Sequence, residues 1–352
     1  DFALLAASPR VVLTFADKVD GTPARASRFV MRLENFLSGH KPEIDPYAVE
    51  LLAGARALAE SVSYDPVAAP APRPPIALRP RRYSVTEIAL FRRDPYAIYA
   101  RHVLKLRPLK DIDEEREATD LGILFHEILR RFIEAHRTNW PSDPRASLMA
   151  IADEQMHRDG LPDDVKVLWQ ARFSRAASAF LAWEEVHRRS SSNLATEVRG
   201  AFSFSAPAGP IEIIGRIDRI DQDLVSGDLQ IFDYKTGAPP SKRQVEVMLD
   251  PQLALCARLA ATGNIANVPP APVSLLAYLH IGGTKRECEG PSFATPADLI
   301  ASTGTELEKF LAQYDDPAMS YLSATLRERE GDVGEYDLLA RRREWKAAGD
   351  RE

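Results

Sequence analysis

Two short segments hold the residues best suited to chemistry. The first is Gly215-Arg216-Ile217-Asp218-Arg219-Ile220-Asp221, and the second is Leu229-Gln230-Ile231-Phe232-Asp233-Tyr234-Lys235-Thr236-Gly237. Side chains alternate along a strand, so Asp233 and Lys235 share a face, with Leu229 and Ile231 behind them. The interval from Asp218 to Asp233 is centred beside Val225-Ser226-Gly227, where a hairpin turn is predicted. Folding there sets Asp218 close to Asp233 on a neighbouring strand. Two nearby carboxylates repel, so holding both ionised asks for a cation. Hard oxygen ligands with open positions suit Mg2+ or Mn2+. A lysine on the same face orients an attacking water and stabilises charge on a phosphoryl transition state. Phosphodiester hydrolysis requires such a set. The competing reading is a surface hairpin whose Asp and Lys pair across water, worth ~0–1 kcal/mol.

Two helices bring further polar groups. Leu121, Leu124, Phe125, Ile128, Leu129 and Phe132 form one stripe on a helix predicted over about Asp120 to His136. His126 lies beside that stripe, and Gly122, one turn earlier, removes a side chain next to it. Gln252 opens another helix soon after the Asp-X-Lys strand, behind Asp250-Pro251. The order Gly-X-X-X-His on a helix, Gly-X-Ile-Asp, Asp-Tyr-Lys, then Gln-Leu on a helix resembles the RecB-type branch of the PD-(D/E)XK nuclease superfamily. The likeness runs from about residue 83 to 290. It implies an α/β, restriction-endonuclease-like fold, a mixed sheet flanked by helices. It also implies roles. Asp218 and Asp233 are then acidic metal ligands, His126 and the Tyr234 carbonyl further ligands, and Lys235 the catalytic lysine. Gln252 corresponds to the start of the family's Gln-X-X-X-Tyr element, whose aromatic position is Cys256 here. Gln252 and Glu197 are candidate substrate-binding residues.

The resemblance extends beyond the nuclease block. Val11-Val12-Leu13-Thr14, Asp20-Gly21-Thr22-Pro23 and Ser27-Arg28-Phe29 are similar to the last segment of the helicase-like region in AddB-type subunits. The tail Gly334-Glu335-Tyr336-Asp337-Leu338-Leu339-Ala340-Arg341, followed by Glu344-Trp345, is similar to their C-terminus. The chain, which begins at Asp1 rather than Met, is thus read as a piece of a longer protein. That family implies a Mg2+- or Mn2+-dependent exonuclease domain acting on single-stranded DNA unwound during double-strand-break repair, beside an AddA-like helicase–nuclease partner. The alternative is a non-catalytic DNA-binding or scaffold module of the same complex. Many AddB nuclease domains carry a four-cysteine iron–sulfur cluster. This chain has Asp94 where the first thiolate would fall and only Cys256 and Cys288 in all, so no cluster is expected. No Gly-X-X-X-X-Gly-Lys-Ser/Thr phosphate loop is present, so no ATP chemistry is assigned.

These side chains need a frame to hold them. Residues 83–345 read as the mixed α/β nuclease block. Ser84 with Glu87 predicts a capping box. Helices are predicted at 145–157, 164–189, from Asp250 to Gly263 and at 296–313, and strands at 197–205, 210–221, 228–236 and Val273 to Ile281. Residues 63–82 are rich in proline and read as an extended linker. Residues 1–62 read as the end of an inactivated helicase-like region. A strand is predicted there at Val11–Phe15, a turn at Asp20-Gly21, a helix capped by Thr22 running to Gly39, and a second helix from Pro46 to Ser61. A length of 352 residues fits two domains. With 45% hydrophobic and 27% charged residues, the chain is neither disordered nor fibrous. No apolar run approaches the ~20 residues of a membrane span, and no signal peptide is visible. Two cysteines are too few for a disulfide framework, so the cytoplasm is expected. Net charge is −6, yet the stretch from Arg73 to Lys110 holds ten Lys and Arg against Glu87 and Asp94, and an acidic run from Asp111 to Glu117 follows. The basic stretch and Arg341-Arg342-Arg343 are candidates for part of a DNA groove, with a solvated face as the alternative.

Overall fold

The computed structural model describes residues 2–5, 7, 9, 11–16, 18–19, 22–39, 46–59, 68–107, 118–262, 265–282, 288–323, 325–326 and 334–349. The predicted Asp20-Gly21 turn and the acidic run from Asp111 to Glu117 lie outside the described residues. The chain divides into two compact units, Asp1–Pro66 and Val67–Glu352. Among the described residues no helix is long and apolar enough to cross a membrane.

The first unit contains a short antiparallel pair, Lys18–Val19 with Thr22–Pro23, and helices Arg28–Leu37 and Pro46–Ala59. Its first long helix therefore starts later than Thr22. Ser27 is the N-cap, its hydroxyl accepting from the Val30 amide at 3.4 Å, and this local cap sets the start. Residues 11–16 form no regular strand.

In the second unit, the proline-rich stretch from residue 68 packs along the nuclease block rather than standing off as a spacer. The Pro72 carbonyl accepts from the Tyr321 amide at 2.9 Å. Buried Arg79 donates to the carbonyls of Pro74, Tyr314 and Asp316 at 2.9, 2.7 and 2.8 Å. One guanidinium thus satisfies several carbonyls that a loop would otherwise bury unpaired. Much of the basic stretch is spent in the same way. Arg81 pairs with Asp315, Arg82 with Glu212, and Arg101 with Glu335, while Arg92 sits over the Phe310 ring.

The sheet has six strands: β1 (Arg82–Ser84), β2 (Ser191–Ala206), β3 (Gly209–Asp223), β4 (Leu229–Lys235), β5 (Val273–His280) and β6 (Ser292–Ala294). It is mixed: β1–β3 and β4–β5 are parallel, and the other pairs are antiparallel. The main helices are α1 (Val85–Arg93), α2 (Ala118–Ala135), α3 (Pro144–Arg158), α4 (Asp163–His187), α5 (Gln252–Ala261) and α6 (Ala297–Gln313). The expected capping box opens α1: the Ser84 amide donates to Glu87 at 2.9 Å, and the Glu87 amide to Ser84 at 3.1 Å.

Strand alternation sorts two cores. Leu229 and Ile231 join α1, α5 and α6 on one face of the sheet, whereas Phe232 and Tyr234 join α2, α3 and α4 on the other. Fully burying each large apolar side chain stabilises by ~1.5–3 kcal/mol, so the two cores together fix the strand's orientation.

One topological detail builds the site. β2 lines one edge of β3 along its whole length. The other edge is shared: β1 takes Glu212 to Ile214, and β4 takes Arg219 to Gln222. Residues 215–218 of β3 therefore face a break in the sheet.

Candidate active site

Asp218 sits at that break. Its Oδ2 accepts from the Tyr234 amide at 3.0 Å, which ties β3 to the end of β4 just past their last ladder pair, Arg219 with Phe232. The hairpin register thus continues to set Asp218 opposite Asp233. Asp233 is buried, and Lys235 follows Leu229 and Ile231 in the alternation. The Lys235 ammonium lies 2.7 Å from Asp233 Oδ2. Gln252, the first residue of α5, bridges the two: its amide NH2 donates to Asp233 Oδ1 at 2.7 Å and its carbonyl accepts from Lys235 at 3.1 Å. Tyr278 lies under the ammonium at 5.6 Å.

The second cluster comes from α2 and β2. His126 Nε2 is 2.9 Å from the Tyr234 carbonyl. A carbonyl only accepts, so Nε2 carries the proton and Nδ1 presents its lone pair. That lone pair faces Asp218 Oδ2 at 3.4 Å and Glu197 Oε1 at 3.9 Å. Ligand atoms of His126, Glu197 and Asp218 all lie within 4.8 Å of one another. Gly122 lets α2 approach: a Cβ there would sit 3.2 Å from the Thr236 hydroxyl. Glu197 has φ +51°, an outlying conformation for a glutamate, held opposite Asp218 in the β2–β3 register. Arg216 clasps Glu197 at 2.6 Å.

The electrostatics follow from burial. Burial, then the charge of Asp218, pushes the Asp233 carboxyl up to about 7. Burial raises Asp218 to about 6 against the pull of its Tyr234 hydrogen bond, and it raises Glu197 despite Arg216. Burial lowers the His126 pKa, which keeps the imidazole neutral. Burial also works against the Lys235 ammonium, but the adjacent Asp233 carboxylate holds its pKa above the ordinary lysine value.

A divalent cation fits this donor set. Glu197 Oε2 and Asp233 Oδ2 are buried without a hydrogen bond, each with only a cationic neighbour. Carboxylate oxygens and a neutral imidazole nitrogen aimed at one another repel unless a cation lies among them.

His126, Glu197, Asp218, Asp233, Lys235 and Gln252 thus all reach one cleft of about 1000 Å3, and Tyr234 contributes its backbone. Glu197 stands nearer the centre than its place in the sequence suggested, beside His126 and Asp218, while Asp233 groups with Lys235 and Gln252. Cys256 is buried with its thiol 3.8 Å from the Arg216 carbonyl, and burial pushes that thiol's pKa well up. Sequence reasoning missed Arg216 and Arg199, which also line the cleft. Alternation was the available signal: Arg216 lies two residues from Asp218, and Arg199 two from Glu197.

A mixed sheet between helical layers, with acidic residues and a lysine converging where it splits, defines a nuclease-type α/β fold. Residues 82–343 match the family model described as the PD-(D/E)XK nuclease superfamily. The chain belongs to that superfamily. It is similar to an uncharacterized protein of Rickettsia typhi, with 30% identity over 226 residues, 62% of this chain and 26% of the relative. An uncharacterized protein of Rickettsia conorii is 28% identical over 262 residues, 72% of this chain and 30% of that protein. The chain thus spans less than a third of the length of these relatives. Among solved structures, SSO0001 aligns at 12% identity and a TM-score of 0.27, over 74% of this chain and 85% of that one.

Proposed function

We propose that this chain hydrolyses DNA phosphodiesters as a metal-dependent exonuclease domain. The observation that carries the reading is the convergence of Asp218, Asp233, His126 and Lys235 at the sheet break, with both aspartates raised well above ordinary values. Asp218, Asp233 and His126 are the groups that would hold Mg2+ or Mn2+, with Glu197 alongside, whereas the Tyr234 carbonyl, expected as a further ligand, instead accepts from His126 Nε2 on the ring edge opposite Nδ1. When bound, such an ion lowers the pKa of a water and polarises the phosphate.

The chain's own residues do the rest. Lys235 orients the attacking water and offsets charge growing on the phosphoryl oxygens. Gln252 fixes that ammonium against Asp233, so little rearrangement is needed at the moment of reaction. The Tyr234 carbonyl locks the His126 ring with Nδ1 inward. Single-stranded DNA released by unwinding is the substrate class. The wider setting is an AddB-like subunit of a cytoplasmic double-strand-break-processing helicase–nuclease with an AddA-like partner. The similarity of residues 11–29 and 334–345 to AddB-type subunits supports that setting, as do relatives far longer than the matched stretch.

Purified protein with Mg2+ or Mn2+ is expected to degrade single-stranded DNA, and Lys235→Ala to lose on the order of 10²–10³ in kcat, as for other preorganised charge-stabilising donors. If Asp218→Ala and Lys235→Ala both cleave like the parent, the assignment fails.

A further inference from the structure

We propose that Arg199 is a phosphate-binding residue that holds the nucleic-acid backbone beside the reacting phosphodiester. This deepens the nuclease reading above and rests on it. Arg199 on β2 lies directly opposite Arg216 on β3. Like charges directly opposite on an antiparallel pair destabilise it, and both side chains are exposed, so packing does not explain them.

The cleft holds four arginines: Arg82, Arg130, Arg199 and Arg216. Three are engaged by carboxylates. Arg82 pairs with Glu212 at 2.9 Å, Arg130 with Glu127 and Glu134, and Arg216 with Glu197. Among the described residues Arg199 has no ion-pair partner. It stands on the face of Glu197, two residues along the same strand, or about 7 Å at the usual strand rise. That distance is comparable to the step between successive phosphates of an extended nucleic-acid strand. No Phe, Tyr or Trp side chain lines the cleft among the described residues, and its imidazole, His126, is held by the Tyr234 carbonyl and the acidic cluster. Bases therefore have no stacking platform there, and the backbone phosphates are the groups the cleft addresses. A guanidinium matches a phosphate in two-pronged geometry, and its grip is independent of sequence.

The test uses the full chain with a fluorescein-labelled oligothymidylate. Binding is followed by anisotropy in EDTA across a salt series. Hydrolysis of the oligonucleotide and of bis(p-nitrophenyl) phosphate is followed with Mn2+. The small ester has no neighbouring phosphate, so it reads the chemistry alone. Arg199→Gln is expected to flatten the slope of log K against log salt by ~0.7, one single-strand phosphate contact. It should also raise KM for the oligonucleotide, leave ester hydrolysis unchanged and, by relieving the facing like charges, not lower the unfolding temperature. Arg199→Lys should keep most of the slope. A glutamine variant with the parent's slope and KM overturns the assignment while leaving the nuclease reading intact. A parent that binds DNA but cleaves neither substrate overturns the nuclease reading, and the slope still decides Arg199. A parent that neither binds nor cleaves overturns both.

Discussion

Asp233→Asn is expected to inactivate the protein and, without metal, to stabilise it. Burial and the Asp218 charge move the Asp233 carboxyl from an ordinary 3.8 to about 7. Proton affinity changes by about three powers of ten, which is on the order of 4 kcal/mol. The sign follows from linkage. Between about pH 4 and 7 the folded chain keeps a proton that the unfolded chain releases, so stability falls as pH rises through that window. The cost is complete above pH 7 and absent below about pH 4. Asparagine carries no such cost, and its amide can still meet Gln252. The loss of a partner for Lys235 trims the gain.

Thermal unfolding in EDTA at pH 8 and pH 5 reads this directly. For a unit of this size ~2–4 °C accompany each kcal/mol. The variant should melt several degrees above the parent at pH 8, with most of the gap gone at pH 5. Divalent metal should reverse the order at pH 8, because only the parent gains binding energy, ~2.7 kcal/mol at a hundred times Kd. An asparagine variant that melts below the metal-free parent at pH 8, with a gap that ignores pH, would refute the claim that Asp233 is held ionised at a cost.

Two further variants probe the frame. Arg219 is fully buried between Asp221 and Glu184, so Arg219→Met should cost about 3–5 kcal/mol by stranding those carboxylates, seen as a lower urea midpoint. A Cβ on Gly215 would lie 2.7 Å from Leu259 and 3.0 Å from Val85. Gly215→Ala should therefore cost about 1–3 kcal/mol through overpacking, and it should also lower kcat, since the displaced backbone leads directly into Asp218.

The parts of this fold that follow local rules could be read from the chain. The Asp218–Asp233 hairpin, the alternation of Leu229, Ile231, Asp233 and Lys235, and the stripe on α2 each depend on neighbours within a few turns or one tight loop. What depended on distant segments could not. The destiny of the basic stretch was set by Asp315, Glu212, Glu335 and the carbonyls near residue 315, more than a hundred residues away. Charge density alone does not distinguish a guanidinium that meets DNA from one that satisfies a loop. The first-unit helix start turned on which of two plausible caps won, Thr22 or Ser27. The centrality of Glu197 required the β2–β3 register and a positive φ that no local pattern announces.

The same strand that carries the costly carboxylate also carries what holds it in place. Next to Asp218, Arg219 turns to the other face of β3. There it donates to both oxygens of Asp221 at 2.9 and 2.8 Å, to Glu184 at 3.2 Å and to the Tyr234 hydroxyl at 3.3 Å. His187 closes the network on Asp221 at 2.7 Å. Burial works against the charge of Asp221, but Arg219 beside it and its hydrogen bonds hold its pKa far below the ordinary range, the reverse of its neighbour Asp218. Tyr234 links the faces: its ring hydroxyl meets Arg219, its amide meets Asp218, and its carbonyl meets His126. An ionic network in which Arg219 meets both Asp221 and Glu184 behind the sheet thus fixes the backbone from which an acidic cluster without hydrogen bonds to Glu197 Oε2 and Asp233 Oδ2 projects in front. Removing the rear network should therefore loosen the site before it unfolds the domain.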